Sequence, residues 1–548
     1  MKKYLFLGVS LFNFTLYVSM RSIWSGIEGM FGIHILQFIF LFIVTALFLL
    51  ALIQNHLKMN KIIQSILLGF SIFLTIALFY MFYLGIDSLR YFVRAFIDLL
   101  FVMLVAYFAY FMIFKFPSCK LSKNRLYKRI LFSVFSLLLF VITFDLDFHF
   151  ITNKPVVYAV EDTYQIVWTT STHATAQVMV GDTTYYDLYA GSERSETTIH
   201  KVVVPMAELD EAKSYKISST HVLYRGPYSG ILGGRVEATF NFKPVDLTDG
   251  LNYYTISDTH TRNQAAIKAG SYFGDDLDFL ILAGDIMNHI ENAEDAEVIL
   301  ALAYGVTKGE RPVIYARGNH EVKGTYANQL HRYVGSVDEK FFYTFQLNHV
   351  YGIVLDLGED HDDSWWEYYN TAYYTQYRND QTGFIQDIID SNVFLDPSIE
   401  YRIGVCHIPV VLVEDDYLDA ILNEWTPLLN QLNLNVMISG HKHQLLAFTT
   451  NIPTGVEFSY HENYRSNTVV GYRTNANFTN FIASRRSLIQ SPSTKENLFG
   501  RVFTGLATSV SFTSRIASFQ FTNSQGEIVS VIDPYDGTLH SSYEISLD

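Results

Sequence analysis

The chain has 548 residues, too many for one ordinary domain, and its formal net charge of -15 is unevenly spread. Residues 1–150 hold 13 Lys and Arg against 5 Asp and Glu, a net of +8, which leaves -23 on the remainder. An acidic C-terminal part excludes the basic face that a nucleic-acid partner needs, so none is expected; with only two cysteines, Cys119 and Cys406, a disulfide framework is excluded as well.

The first 150 residues are rich in Phe, Leu and Ile. Five apolar stretches, near 4–20, 33–54, 62–84, 92–114 and 130–146, each approach the ~20 residues a helix needs to cross a bilayer. They predict a five-helix transmembrane bundle with the lipid bilayer as partner. Lys2 and Lys3, then Lys58 and Lys61, then Lys115, Lys120, Lys123, Arg125, Lys128 and Arg129 fall in alternate loops. Such loops are cytoplasmic under the positive-inside rule. Five spans from an inside N-terminus predict a multi-pass protein of the cell membrane, with everything after about residue 147 extracytoplasmic. Read instead as a signal peptide, the first stretch lacks a small-residue cleavage site. Arg94 and Asp98 read as an interfacial pair.

From residue 151 the periodicity turns from helical to alternating. Val156–Val160, Tyr164–Thr169, Ala176–Val180, Lys201–Pro205, Tyr215–Leu223 and Arg235–Phe242 read as short strands. At roughly 10-residue spacing they predict a small antiparallel β-sandwich over 151–245, serving as a spacer. Lys243-Pro244-Val245-Asp246 reads as the linker.

Residues 246–548 alternate strands with helical stretches at Ala293–Lys308, Thr382–Ser391 and Leu418–Leu432, an α/β order. Strands return after His443, the clearest being Ala507–Thr513 and Ile516–Asn523. Five short blocks each follow an apolar run. They read Ser257-Asp258-Thr259-His260, Gly284-Asp285, Gly318-Asn319-His320-Glu321, Cys406-His407 and Gly440-His441-Lys442-His443. Asp, Asn and His directly after strands are expected where ligands gather at the carboxyl ends of a sheet.

Alone, any of these blocks reads as a turn, and His407 as a core histidine. Together they form a mixed oxygen and nitrogen donor set that suits two divalent ions such as Mn, Fe or Zn. Two ions ~3.5–4 Å apart need a carboxylate able to bridge them. Asp285 follows a glycine that permits close backbone approach. Asp258 and His260 fall on one side of an extended segment, and His441 and His443 can splay toward different ions.

The order Asp-x-His, Gly-Asp, Gly-Asn-His-Glu, His, Gly-His-x-His resembles the calcineurin-like metallophosphoesterase superfamily. The resemblance covers about residues 250–450 and implies an αββα sandwich over 246–548 with a two-metal site. It implies that Asp258, His260 and His443 hold one ion, that Asn319, His407 and His441 hold the other, and that Asp285 bridges them. It further implies that a metal-bridging hydroxide attacks phosphorus in a phosphate mono- or diester, with His320 as the catalytic group facing the phosphate. The substrate is then a small-molecule phosphate ester and the enzyme a hydrolase. The segment 151–245 is similar to the fibronectin-like domain that precedes the catalytic domain in purple acid phosphatases. Asn288, three residues after Asp285, departs from two branches of the superfamily. Purple acid phosphatases have there the tyrosine that gives their colour, and protein serine/threonine phosphatases an aspartate. The departure implies a colourless protein that is not a protein phosphatase, with Asn288 available to hydrogen-bond His320.

Two further readings concern the surroundings. The acidic run Asp356–Trp366, with Trp365, Trp366 and the tyrosines after them, reads first as a solvated loop and second as a wall for a base or sugar. Arg378 reads as a surface residue or a phosphate contact. The alternative to an enzyme is a catalytically inactive membrane sensor or binding protein, which the complete ligand set argues against.

Overall fold

The structure is a computed structural model that describes residues 2–20, 36–53, 61–85, 148–225, 230–413, 416–449, 457–460, 468–472, 476–483, 502–532 and 538–548. It divides into two compact units, Met1–Phe148 and His149–Asp548.

The described part of the first unit contains helices Lys2–Ser19, Leu36–Ile53 and Lys61–Gly85. They coincide with the first three apolar stretches of the sequence; the fourth and fifth lie outside the described residues. Among the described residues one helix, over Lys61–Met81, is long and apolar enough to cross a membrane, and Leu5–Phe14 and Ile39–Ala51 are shorter apolar pieces. A five-helix bundle is therefore not what the described residues establish. Their polar groups turn inward: Asn13 Nδ2 donates to Ser71 O at 2.8 Å, and Thr75 Oγ1 donates to Asn13 Oδ1 at 2.7 Å. Phe42, Ile62, Phe73 and Ile76 face outward.

The second unit is built on two large sheets. One has the central order Thr504–Ser511, Leu251–Ile256, Phe279–Ala283, Pro312–Ala316, Ile151–Val160. Leu251–Ile256, Phe279–Ala283 and Pro312–Ala316 run parallel. In the other, Val350–Leu355, Tyr401–Cys406, Val436–Ser439 and Thr479–Ala483 run parallel in that order. Alternation along each strand decides which neighbour a side chain meets. Tyr253 meets Tyr401 of the other sheet, hydroxyl to hydroxyl at 2.9 Å, and Phe481 stacks on Phe519 with ring centroids 4.3 Å apart. On the opposite face of the second sheet, Leu355, Met437 and Ile482 pack with Ile385, Leu422 and Trp425 from helices Tyr374–Ser391 and Asp416–Gln431. Helices Asn263–Gly270 and Ala293–Thr307 pack against the first sheet. Helix, sheet, sheet, helix is the layer order.

Helix Ala293–Thr307 starts where its sequence says it should. Asn292 Oδ1 accepts the N–H of Asp295 at 3.2 Å, and Glu294 and Asp295 occupy the first turn. Helix Tyr374–Ser391 starts eight residues before the predicted Thr382. Its cap comes from a distance: the Asp363 carboxylate accepts the N–H groups of Tyr374 and Thr375 at 2.9 and 3.2 Å.

The reading of 151–245 as a sandwich set apart from the catalytic part needs correction. Strand Ile151–Val160 pairs in parallel with Pro312–Ala316, with Val157 opposite Pro312 and Tyr158 opposite Val313. The same sheet then continues through Thr163–Val180, Ser214–Arg225 and Gly230–Asn241, with Thr197–Pro205 also paired to Thr163–Val180. The physical reason is visible in Val156–Val160, where every side chain is buried. A strand apolar on both faces needs cover on both, which a central position supplies.

Candidate metal centre

All five blocks lie at the carboxyl ends of parallel strands, so the edges where the two sheets face each other deliver them to one place. Asp258, His260, Asp285 and His443 present ligand atoms within 4.8 Å of one another, and so do Asp285, His407 and His441. Asp285 belongs to both groups. Asn319 joins the second through its Oδ1, 3.0 Å from His441 Nδ1. His320 stands beside them, edge-on to His260 with ring centroids 4.8 Å apart and its Nε2 3.9 Å from Asp285 Oδ2. The structure thus brings together all eight residues singled out in the sequence.

The backbone is bent to achieve this. Asp258, His260, Asp285, His441 and His443 all have φ between 44° and 72°. Residues other than glycine rarely adopt that left-handed region, and such outliers cluster where surrounding structure holds a site in place. Gly318 and Gly440 allow the turns to touch: a Cβ on Gly318 would strike the Asp285 backbone nitrogen, and one on Gly440 would strike Ser257 Oγ.

Three of the histidines have their ring orientation set by a contact through Nδ1. His407 Nδ1 donates to Ala283 O at 2.7 Å, and His260 Nδ1 to Asn288 Oδ1 at 2.8 Å. Nδ1 then keeps its proton, and Nε2 is the nitrogen that turns to a metal, binding it once deprotonated. His320 Nδ1 donates at 2.9 Å to the backbone oxygen of Asn288, not to its side chain. Asn288 therefore serves both histidines, and only His260 depends on its amide.

The electrostatics call for positive charge. Burial alone would raise the Asp285 pKa, but His407, His320 and His260 hold it well below the usual carboxylate range. Burial would lower His407; the Asp285 carboxylate overrides it and raises the histidine to about 10. The buried Nε2 of His407 lies 3.2 Å from Asp285 Oδ2 yet has no hydrogen-bond partner. His260 Nε2 and His443 Nε2 face each other at 3.1 Å. An orphaned buried nitrogen and converging lone pairs of N and O type fit divalent cations.

Residues 251–445 match the family model described as Calcineurin-like phosphoesterase. The chain carries a calcineurin-like metallophosphoesterase domain. Such a domain hydrolyses phosphoric esters. Among solved structures, this chain is similar to a purple acid phosphatase, PPD1, from yellow lupin (Lupinus luteus) seeds. Identity is 11%, with 72% of this chain and 74% of that one covered, at a TM-score of 0.41. It is also similar to PhoD, again at 11% identity, with 72% and 90% covered and a TM-score of 0.38. No curated protein matches it.

The phosphoesterase domain also uses residues to which the sequence reading gave no role. Glu321 is fully buried, and its carboxylate accepts the backbone N–H groups of Asp285 and Gly318 at 2.8 Å and of Met287 at 2.9 Å. Burial, and then the charge of Asp285, push it up to about 7. Its place in Gly-Asn-His-Glu was the available signal. The acidic run is not a solvated loop. Asp356 and Glu359 are buried against Arg317 and Lys323, each pair at 2.7 Å. Arg378 is not at the surface; it is buried and donates to Leu357 O at 2.8 Å and to Glu359 O. The run forms one wall of a cleft of about 240 Å³ over the centre, with Asp360, His361, Trp365 and Glu367 on that wall and Asp285, Asn319, His320 and His441 among the other lining residues. His361 stacks on Trp365 with centroids 4.0 Å apart.

Proposed function

We propose that this protein is a membrane-anchored phosphoesterase that uses two divalent metal ions to hydrolyse a small phosphate mono- or diester outside the cytoplasm. The observation that carries the catalytic part is that Asp285 belongs to two ligand clusters at once, with His320 beside it at the cleft. Asp258, His260 and His443 would hold one ion, and Asn319, His407 and His441 the other. The ions, when bound, supply Lewis acidity toward the phosphoryl oxygens and an activated water at neutral pH.

The chain's own residues do the rest. His320 keeps a proton on Nδ1 through the Asn288 carbonyl, so any proton it exchanges is on Nε2, which faces the cleft. In that position it donates to a phosphoryl oxygen and protonates the leaving alkoxide. Asp285 neutralises the cationic cluster and ties the two halves of the centre together.

Anchoring is supported by the apolar helix Lys61–Met81 and by the outward apolar and inward polar side chains of the first unit. The alternation of basic loops supports an inside N-terminus and an extracytoplasmic domain. The complete ligand set speaks against the alternative of an inactive sensor.

The test uses the full-length protein in detergent, stripped by a chelator and reloaded with Mn, Fe or Zn. Hydrolysis of aryl phosphate monoesters and diesters should vanish on stripping and return on loading. Asp285→Asn should lose metal from both positions. A fully loaded protein inert toward both ester classes would sink the enzymatic reading. Protease protection in sealed vesicles tests the side of the membrane.

A further inference from the structure

We propose that Asp360 is a positioning residue of the metal centre: its carboxylate fixes the His441 ring so that Nδ1 is the nitrogen offered to an ion. The inference rests on the metal-dependent reading above.

The geometry runs through one imidazole. His441 Nε2 lies 3.5 Å from Asp360 Oδ2, and Nδ1 lies 3.0 Å from Asn319 Oδ1. A neutral imidazole has one N–H. A carboxylate beside Nε2 draws that proton to itself and leaves a lone pair on Nδ1. Nδ1 and Asn319 Oδ1 then converge as two acceptors, an arrangement that a cation between them satisfies.

Asp360 is held in place for this task. Gln381 grips the backbone of Asp356 on both sides, accepting its N–H at 2.9 Å and donating to its oxygen at 2.6 Å. Arg378 takes the next carbonyls, Leu357 and Glu359. Three acids in one short run are thereby divided. Asp356 and Glu359, each 1% exposed at the side chain, neutralise Arg317 and Lys323, while Asp360, 35% exposed, reaches the cleft. Its other oxygen lies 3.8 Å from His361 Nε2.

The experiment is calorimetric titration of the chelator-stripped, full-length protein with Mn²⁺ or Zn²⁺. Removing a carboxylate that orients a metal-bound histidine costs roughly 10–100-fold in metal affinity. Asp360→Ala should weaken one binding event by that factor and leave the melting temperature of the stripped protein unchanged. Asp360→Asn, which keeps an acceptor for Nε2–H without the charge, should fall between; it carries the test if the alanine variant does not fold. Glu367→Gln, on the same cleft wall, should bind metal as the wild type does. Wild-type binding with an unchanged Asp360→Ala isotherm overturns the positioning role alone. A wild type that takes up no divalent ion overturns both this role and the proposed function.

Discussion

Glu321 Oε2 accepts the backbone N–H of Asp285 at 2.8 Å, joining two turns that come from different strands. The carboxylate has no competing partner type, because all three of its hydrogen bonds come from backbone donors. In Glu321→Gln an amide NH₂ must face one of those N–H groups. Leaving a buried donor unsatisfied costs about 1–3 kcal/mol. Denaturant unfolding of the metal-free protein should show a loss of that size, and metal uptake should weaken as the Asp285 turn relaxes. An unchanged midpoint would mean that the turn holds its shape without Glu321.

Asn288 separates two histidines that share it. Asn288→Ala removes the acceptor for His260 Nδ1 but keeps the backbone oxygen that receives His320 Nδ1. Metal affinity should drop roughly 10–100-fold, while kcat of the fully loaded enzyme stays near that of the wild type. A fall in kcat at saturating metal would show that the side chain also supports His320.

His320→Ala should leave metal content intact and reduce kcat by roughly 10²- to 10⁴-fold, the usual range for an acid/base group. Metal analysis alongside steady-state kinetics on an alkyl phosphate checks this, because a poor leaving group needs protonation most. Full activity on the alkyl ester would remove His320 from the mechanism.

Asp295 offers a pH test away from the ions. Burial pushes its carboxyl up to about 6, against the hydrogen bond it accepts from the Glu291 N–H at 2.8 Å. Its folded pKa exceeds the unfolded value of 3.8, so between those two values the folded state holds more protons. Stability from this group is therefore complete below the unfolded pKa and is lost as pH rises through about 6, by at most roughly 3 kcal/mol. Asp295→Asn keeps the acceptor and cannot ionise, so it should flatten that part of the profile. Unfolding measured from pH 4.5 to 8 on metal-free protein decides, and identical slopes in both proteins would exclude the group.

Much of the centre is legible in the sequence, because its signals are local. A short apolar run ending in Asp-x-His or Gly-Asn-His-Glu declares a buried strand and a ligand-bearing turn within a few residues, and helix Ala293–Thr307 carries its own cap. What stayed hidden was set between distant segments. Nothing near Tyr374 says that Asp363 caps its helix, and nothing in the acidic run says that Arg317, Lys323 and Arg378 will bury it.

The sequence by itself determined which side chains are available to hold an ion and at which strand ends they stand, since residue type and strand periodicity are properties of neighbours along the chain. Only the tertiary structure decided that Ile151–Val160 joins the catalytic sheet, that Asn288 orients His260 through its amide, and that Asp360 rather than solvent meets His441. Those choices depend on which buried donors, acceptors and charges the packed sheets leave to be satisfied, and that account closes only when the whole fold has formed.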